Sequence, residues 1–321
     1  MKYLLVFFIV LGLNAINGYD CKIVQFIFGD SLSDVGNNRN LPRSLAQANL
    51  PFYGIDFGNG LPNGRFTNGR TVSDIIGDKI GLPRPLAFLD PSMNEDVILA
   101  NGVNYASGGG GILNETGGYF IQRFSLWKQI ELFQGTQDVI VAKIGKQEAD
   151  KFFQQARYVV ALGSNDFINN YLMPVYGDSW KYNDQTFVDY LMETLDSQLR
   201  VTAKNEYSVS IDVTFKVHLY FIIVLTYLYV CVCNICIGFD NSDSPCCSFY
   251  RIRPALTCIP ASTLCKDRSK YVFWDEYHPT DKANELVANI LIKRFDFMRA
   301  DDGTSEAPSP SPDLAPSPDD K

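Results

Sequence analysis

The chain has 321 residues, 46% of them hydrophobic and 13% aromatic, with 28 Lys and Arg against 36 Asp and Glu for a formal net charge of -8. That length and apolar content support a sizeable core in one large domain or two small ones. An acidic chain without a basic run argues against recognition of a phosphate backbone, so nucleic acid is not an expected partner.

The chain opens with Lys2, an apolar run from Tyr3 to Leu13, and polar or small residues from Asn14 to Gly18. The run is too short to span a bilayer and has the layout of an export signal cleaved near Gly18 to Asp20. Residues 1–19 are therefore expected to be a signal peptide and the protein secreted; a buried first strand is the competing reading. Eight cysteines fit an oxidising compartment. In an exported protein, Asn114-Glu115-Thr116 is a usable glycosylation sequon, with Asn114 the acceptor.

Ile23 to Phe28, broken only by Gln25, predicts a buried strand running into a tight turn at Gly29-Asp30-Ser31. Residues 54–70, rich in Gly and Asn, predict a long surface loop. Thr71 to Gly81 carries Val72, Ile75, Ile76 and Ile80 at the spacing of an amphipathic helix. Tyr158 to Leu162 is a second buried strand, ending in the turn Gly163-Ser164-Asn165-Asp166. Pro279 is expected to open a helix whose apolar face is Ala283, Leu286, Val287, Ile290, Leu291 and Phe295. Strands alternating with helices predict an α/β layer fold with a parallel sheet. Ligand sites in such folds lie beyond the carboxyl ends of the strands, where both turns sit. The Pro- and Ser-rich end, residues 299–321, is expected to be a disordered tail.

Histidine is scarce. One of the two, His218, sits inside an apolar run, and the other, His278, follows Asp275 by three residues and precedes Pro279. A base working near neutral pH is most often His, and this spacing lets Asp275 hold Nδ1 while Nε2 stays free. A helix-capping turn with an incidental His fits the same pair. Ser31, directly after a buried strand and a glycine, reads as a nucleophile on a sharp turn whose following helix aims amides at the site. Equally, it reads as a plain N-cap.

Phe28-Gly29-Asp30-Ser31-Leu32-Ser33-Asp34-Val35-Gly36-Asn37-Asn38 resembles the nucleophile block of the plant GDSL esterase/lipase family. Asn104-Tyr105-Ala106-Ser107-Gly108-Gly109 resembles its glycine block, Gly163-Ser164-Asn165-Asp166 its asparagine block, and Asp275-x-x-His278-Pro279 its terminal block, all in the family's order. The similarity covers roughly residues 22–200 and 238–298. It implies a flavodoxin-like SGNH hydrolase fold, a three-layer parallel sheet flanked by helices, across residues 20–298. It also implies Ser31 as nucleophile, His278 as base, Asp275 as orienter, and an oxyanion hole from the amides of Ser31 and Gly108 and the Asn165 side chain. Gly108 to Gly111 as a phosphate cradle is disfavoured because no Lys-Ser or Lys-Thr follows.

The resemblance stops across residues 201–237, where the family carries a longer stretch with another core strand, so a core strand is expected to be missing. Val217 to Ile237 is apolar except for His218, Thr226 and Asn234. By length it qualifies as a membrane helix, which would split Ser31 from His278; no stable span is therefore expected. A buried hairpin and translated intron sequence are the other two readings. A metal site from Cys231, Cys233 and Cys236 lacks a fourth ligand, and none is expected. Cys246, Cys247, Cys258 and Cys265 are expected to form disulfides whose pairing spacing does not reveal. The expectation is a monomeric, cofactor-free serine esterase or lipase acting on acyl-ester small molecules, lipids or cell-wall esters. A catalytically silent secreted glycoprotein or an incompletely folded splice variant is the alternative.

Overall fold

A computed structural model describes residues 7–11, 23–173, 178–204, 238–249 and 258–295. Most of the expected export signal, the apolar run with His218 and its three cysteines, and the Pro- and Ser-rich tail lie outside the described residues.

The main sheet is built on β2 (Gln25–Gly29), every residue of which is buried. It pairs in parallel with β4 (Gly102–Asn104) on one side and with β5 (Arg157–Leu162) on the other, and β3 (Leu86–Ala87) extends the sheet beyond β4. Successive side chains of β2 point to opposite faces. Phe26 and Phe28 enter one core, where Phe26 stacks on Tyr158 at 5.6 Å and meets Phe133 edge-on at 5.2 Å. Phe133 comes from α3 (Leu126–Ile144), and the same core takes Phe153 of α4 (Lys146–Gln155) and Phe187 of α7 (Asp184–Lys204). Gln25 and Ile27 face the other way, where Gly77 of α1 (Val72–Lys79) sits against the Gln25 side chain. α1 in turn packs Val72, Ile75 and Ile76 on Val287, Ala288 and Leu291 of α8 (Asp281–Phe295). Three shorter helices are also present among the described residues: α2 (Glu95–Asn101), α5 (Ser164–Asp166) and α6 (Asp178–Lys181). The molecule is an α/β fold, a parallel sheet between helices, with the core strands buried on both faces as such sheets require.

The outer edge of β5 is paired by a segment from the start of the chain. β1 (Phe7–Leu11), inside the segment read as an export signal, pairs there antiparallel, from Phe7 opposite Leu162 to Leu11 opposite Tyr158. A buried edge strand presents N–H and C=O groups that must be paired, and this apolar segment pairs them. The strand leading to His278, β9 (Tyr271–Phe273), stands outside the main sheet and pairs in parallel with β6 (Asn241–Pro245). A third pairing, β7 (Cys247–Ser248) with β8 (Thr263–Leu264), lies beside disulfides Cys246–Cys265 and Cys247–Cys258. Among the described residues no helix is long and apolar enough to cross a membrane.

Three local expectations change. Within the loop expected at the surface, Arg65, Phe66, Thr67 and Asn68 are buried. Their polar groups are paired internally, Arg65 with Asp74 at 2.7 Å and Asn68 with Asp56 at 2.7 Å, which removes the reason to face water. The last helix opens at Asp281, two residues beyond Pro279, because Pro279 bridges to Phe273 and Thr280 N–H donates to Val272 O at 2.9 Å. Thr280 Oγ1 then caps the helix by accepting from Ala283 N–H at 3.2 Å. Ser31 is followed by a single turn, with Ser33 and Asp34 amides donating to Asp30 O, rather than by an α-helix.

Candidate active site

Ser31 stands where β2 ends, and that end is clamped. Gln129 of α3 accepts from Gly29 N–H at 2.9 Å and donates to Gly29 O at 2.8 Å, so a side chain completes the ladder. The next residue, Asp30, accepts from Leu32 N–H and from Ser164 Oγ, each at 2.9 Å, which ties the Ser31 turn to the turn after β5. Burial pushes the Asp30 carboxyl up to about 6, against the lowering pull of the Leu32 amide, the Ser164 hydroxyl and His278.

His278 arrives from the opposite end of the chain. Its Nε2 lies 2.9 Å from Ser31 Oγ, and its Nδ1 lies 2.8 Å from each oxygen of Asp275. A carboxylate only accepts, so the proton of the neutral ring sits on Nδ1 and leaves Nε2 as acceptor for the Ser31 hydroxyl. The i, i+3 spacing works through the backbone as well: Asp275 Oδ1 accepts from the amides of Tyr277 and His278 at 2.8 Å each. Asp275 is fully buried. Burial raises its pKa, but the charge and hydrogen bond of His278 and the Tyr53 hydroxyl more than offset this and hold it below the ordinary carboxylate value.

The glycine block is placed differently from expectation. Gly108 N–H donates to Asp34 Oδ2 at 3.0 Å, so this amide points away from the cavity. Asp34 also gathers the amides of Gly36, Asn37 and Asn38, a ring of donors that fixes the whole turn. Gly109, not Gly108, lines the cavity, with φ +81°, and its N–H has no partner among the described residues. The Ser31 amide is likewise unengaged among them. Asn165 lines the same cavity; one Nδ2 hydrogen goes to Gly110 O at 2.9 Å, while Oδ1 accepts from Asn169. Its neighbour Asp166 accepts from the amides of Ile112 and Leu113 and from Thr116 Oγ1, locking the glycine loop to the α5 turn. Burial pushes Asp166 up to about 6 against these bonds.

The cavity beside Ser31 measures about 320 Å³. Leu45, Leu50, Phe120, Ile168 and Ile259 supply its apolar walls, and among the described residues no Lys, Arg, Asp or Glu lines it. Asn114 is exposed on the neighbouring loop, its Oδ1 accepting from Ser125 Oγ at 2.7 Å, and the sequon's Thr116 is buried. Among the described residues no group of His, Cys, Asp and Glu is arranged to hold a metal ion.

Sequence reasoning missed Asp34, Tyr53, Gln129 and Asp166, which hold the site from behind. Asp34 and Asp166 carried a weak signal, as acids inside the matched blocks. Gln129 and Tyr53 carried none, because their partners are 100 and 222 residues away.

The α/β sheet with a Ser–His–Asp line at its strand ends has the arrangement of a hydrolase. Residues 26–209 match the family model of the GDSL-like lipase/acylhydrolases. GDSL esterase/lipase At1g74460 of Arabidopsis thaliana is 73% identical, the match covering 99% of this chain and all of that protein. That alignment runs over 365 positions, more than the 321 residues here, so the relative holds residues with no counterpart in this chain. GDSL esterase/lipase At5g37690, from the same plant, is 38% identical over 90% of this chain and 93% of its own. The chain belongs to the plant GDSL esterase/lipase family and is a carboxylic ester hydrolase.

Proposed function

We propose that the chain is a secreted serine hydrolase that cleaves uncharged acyl esters, lipids among them, through an acyl-serine intermediate. The observation that carries the reading is the continuous hydrogen-bonded line from Ser31 Oγ through His278 to the buried Asp275. His278 Nε2 takes the hydroxyl proton as Ser31 Oγ attacks the ester carbonyl, and Asp275 holds the resulting imidazolium. The negative oxygen of the tetrahedral species is received by the amides of Ser31 and Gly109 and the second Nδ2 hydrogen of Asn165. His278 then returns the proton to the departing alcohol, and the acyl group stays on Ser31. Water, deprotonated by the same His278, releases the acid and restores the serine. The described lining carries no formal charge, which supports neutral acyl groups as the substrate class.

The first test is labelling with a fluorescent fluorophosphonate after expression through a secretory host. The expected result is a labelled protein in the medium, and no label on Ser31→Ala. Secreted, folded protein that stays unlabelled would overturn the acyl-serine mechanism. N-terminal sequencing of the same material tests export: a start near Gly18 to Asp20 is expected, and a retained Met1 would count against cleavage. Glycosylation at Asn114 predicts a mobility shift on treatment with an N-glycosidase, lost in Asn114→Gln.

A further inference from the structure

We infer that Tyr53 is a positioning residue for ester hydrolysis, holding the Asp275 carboxylate so that His278 stays directed at Ser31. The inference rests on the serine hydrolase reading of the site. The Tyr53 hydroxyl donates to Asp275 Oδ2 at 2.7 Å, inside the protein, with Tyr53 only 2% exposed. Asp275 Oδ1 is already steered by the amides of Tyr277 and His278, both from its own turn. Tyr53 acts on the other oxygen and reaches it from a distant part of the chain. Without it the carboxylate could pivot about Oδ1 and carry the imidazole with it. With both oxygens engaged, the plane of the carboxylate is set and so is the direction of Nδ1–H.

The backbone around Tyr53 is arranged for this task. Phe52, immediately before it, has φ +80°, a left-handed conformation that a bulky side chain adopts only under strain. The surroundings hold that conformation in place. Gly54 N–H donates to Thr67 O at 2.9 Å and Asp56 N–H to Asn68 O at 2.7 Å, while the Asp56 carboxylate pairs with Arg268 at 2.6 Å. The ring of Tyr53 meets Phe66 edge-on at 6.3 Å, and Phe66 lies tilted 5.0 Å from the His278 ring. Backbone strain, loop pins and ring contacts thus converge on one hydroxyl and one imidazole.

The test is a double-mutant cycle on the full chain: wild type, Tyr53→Phe, Asp275→Asn and the pair, read by p-nitrophenyl butyrate turnover and the rate of fluorophosphonate labelling. Phe keeps the ring and removes only the hydroxyl. The expected effect of Tyr53→Phe is a fall in kcat of roughly ten- to a hundredfold, the size of a lost hydrogen bond to a charged group, with KM within about twofold of wild type. In the Asp275→Asn background the same substitution should change kcat by less than about twofold, because it acts through that carboxylate. A merely structural role would give additive losses or shift KM and the melting temperature together. Either of those results, or an unchanged kcat in Tyr53→Phe, overturns the inference while leaving the hydrolase reading intact. A wild-type chain with neither turnover nor label overturns both. If Tyr53→Phe does not melt cooperatively, 4-fluorophenylalanine at position 53 fills the same space without a donor, and a kcat equal to wild type there overturns the inference instead.

Discussion

The backbone N–H of Gly108 donates to Asp34 Oδ2 at 3.0 Å and joins the two turns on either side of the cavity floor. The same carboxylate takes three further amides from Gly36, Asn37 and Asn38. Removing it strands buried donors, each of which costs about 1 to 3 kcal/mol if water cannot reach it. Asp34→Ala is therefore expected to lower the unfolding free energy by about 3 kcal/mol and to abolish Ser31 labelling, because the loop presenting Gly109 comes loose. Urea denaturation checks the first part and the phosphonate probe the second. A variant of wild-type stability would mean that Asp34 does not organise these turns.

Asn165 offers a separable test of the oxyanion site. Its side chain faces the cavity while its backbone begins a short turn held by Asp166. Asn165→Ala should reduce kcat by about a hundred- to a thousandfold, the usual effect of losing one such donor, with little change in KM. Steady-state kinetics on a soluble ester decide it. A rise in KM at constant kcat would instead make Asn165 a ground-state binding residue.

The two disulfides support the turn that carries the base. Cys246 N–H donates to Phe273 O at 2.9 Å and Cys247 N–H to Trp274 O at 2.7 Å, directly before Asp275. Cys258, bonded to Cys247, lines the cavity. Replacing Cys247 and Cys258 by Ser is expected to cost about 2 to 4 kcal/mol of stability, as for short closed loops. Turnover should fall with it, and dithiothreitol should reproduce that loss in the wild-type chain. Full activity after reduction, verified by thiol counting, would detach the bridges from the site.

The buried acids make a prediction of definite sign. Burial pushes the carboxyl of Asp166 from 3.8 up to about 6. Between those values the folded state binds more proton than the unfolded state, so this group's contribution to stability falls as pH rises and is level above about 6. Asp166→Asn removes the titration, so its destabilising effect should be larger at pH near 4 than near 7. Chemical denaturation of both proteins at the two pH values measures the difference. A penalty that grows with pH would show the carboxylate to be favoured by its amide and hydroxyl donors after all.

Much of the site was legible because its parts are local. Ser31 is given away by an apolar strand and a glycine before it, and Asp275 and His278 by a three-residue spacing that a single turn closes. The buried character of β2 and β5 follows from uninterrupted apolar runs. The glycine block was legible as a loop at the site, but not which of its amides is taken up elsewhere. That the Gly108 amide is engaged depends on Asp34, whose reach across the fold leaves no local trace. The 54–70 loop was misjudged for a similar reason: Gly and Asn mark turns, but Arg65 and Asn68 are buried with their polar groups paired to Asp74 and Asp56, and Asn68 also takes the amide of Asp281 from far along the chain.

By itself, then, the sequence determined the family, the layered α/β architecture and the candidate Ser31, Asp275 and His278, since each lies in a short local pattern. Tertiary structure alone decided how those side chains are aimed. Gln129 on Gly29, Ser164 on Asp30, Asp34 on Gly108 and Tyr53 on Asp275 are all contacts between segments distant in the chain. Periodicity shows that a segment will be buried, but only packing selects the partner that meets it.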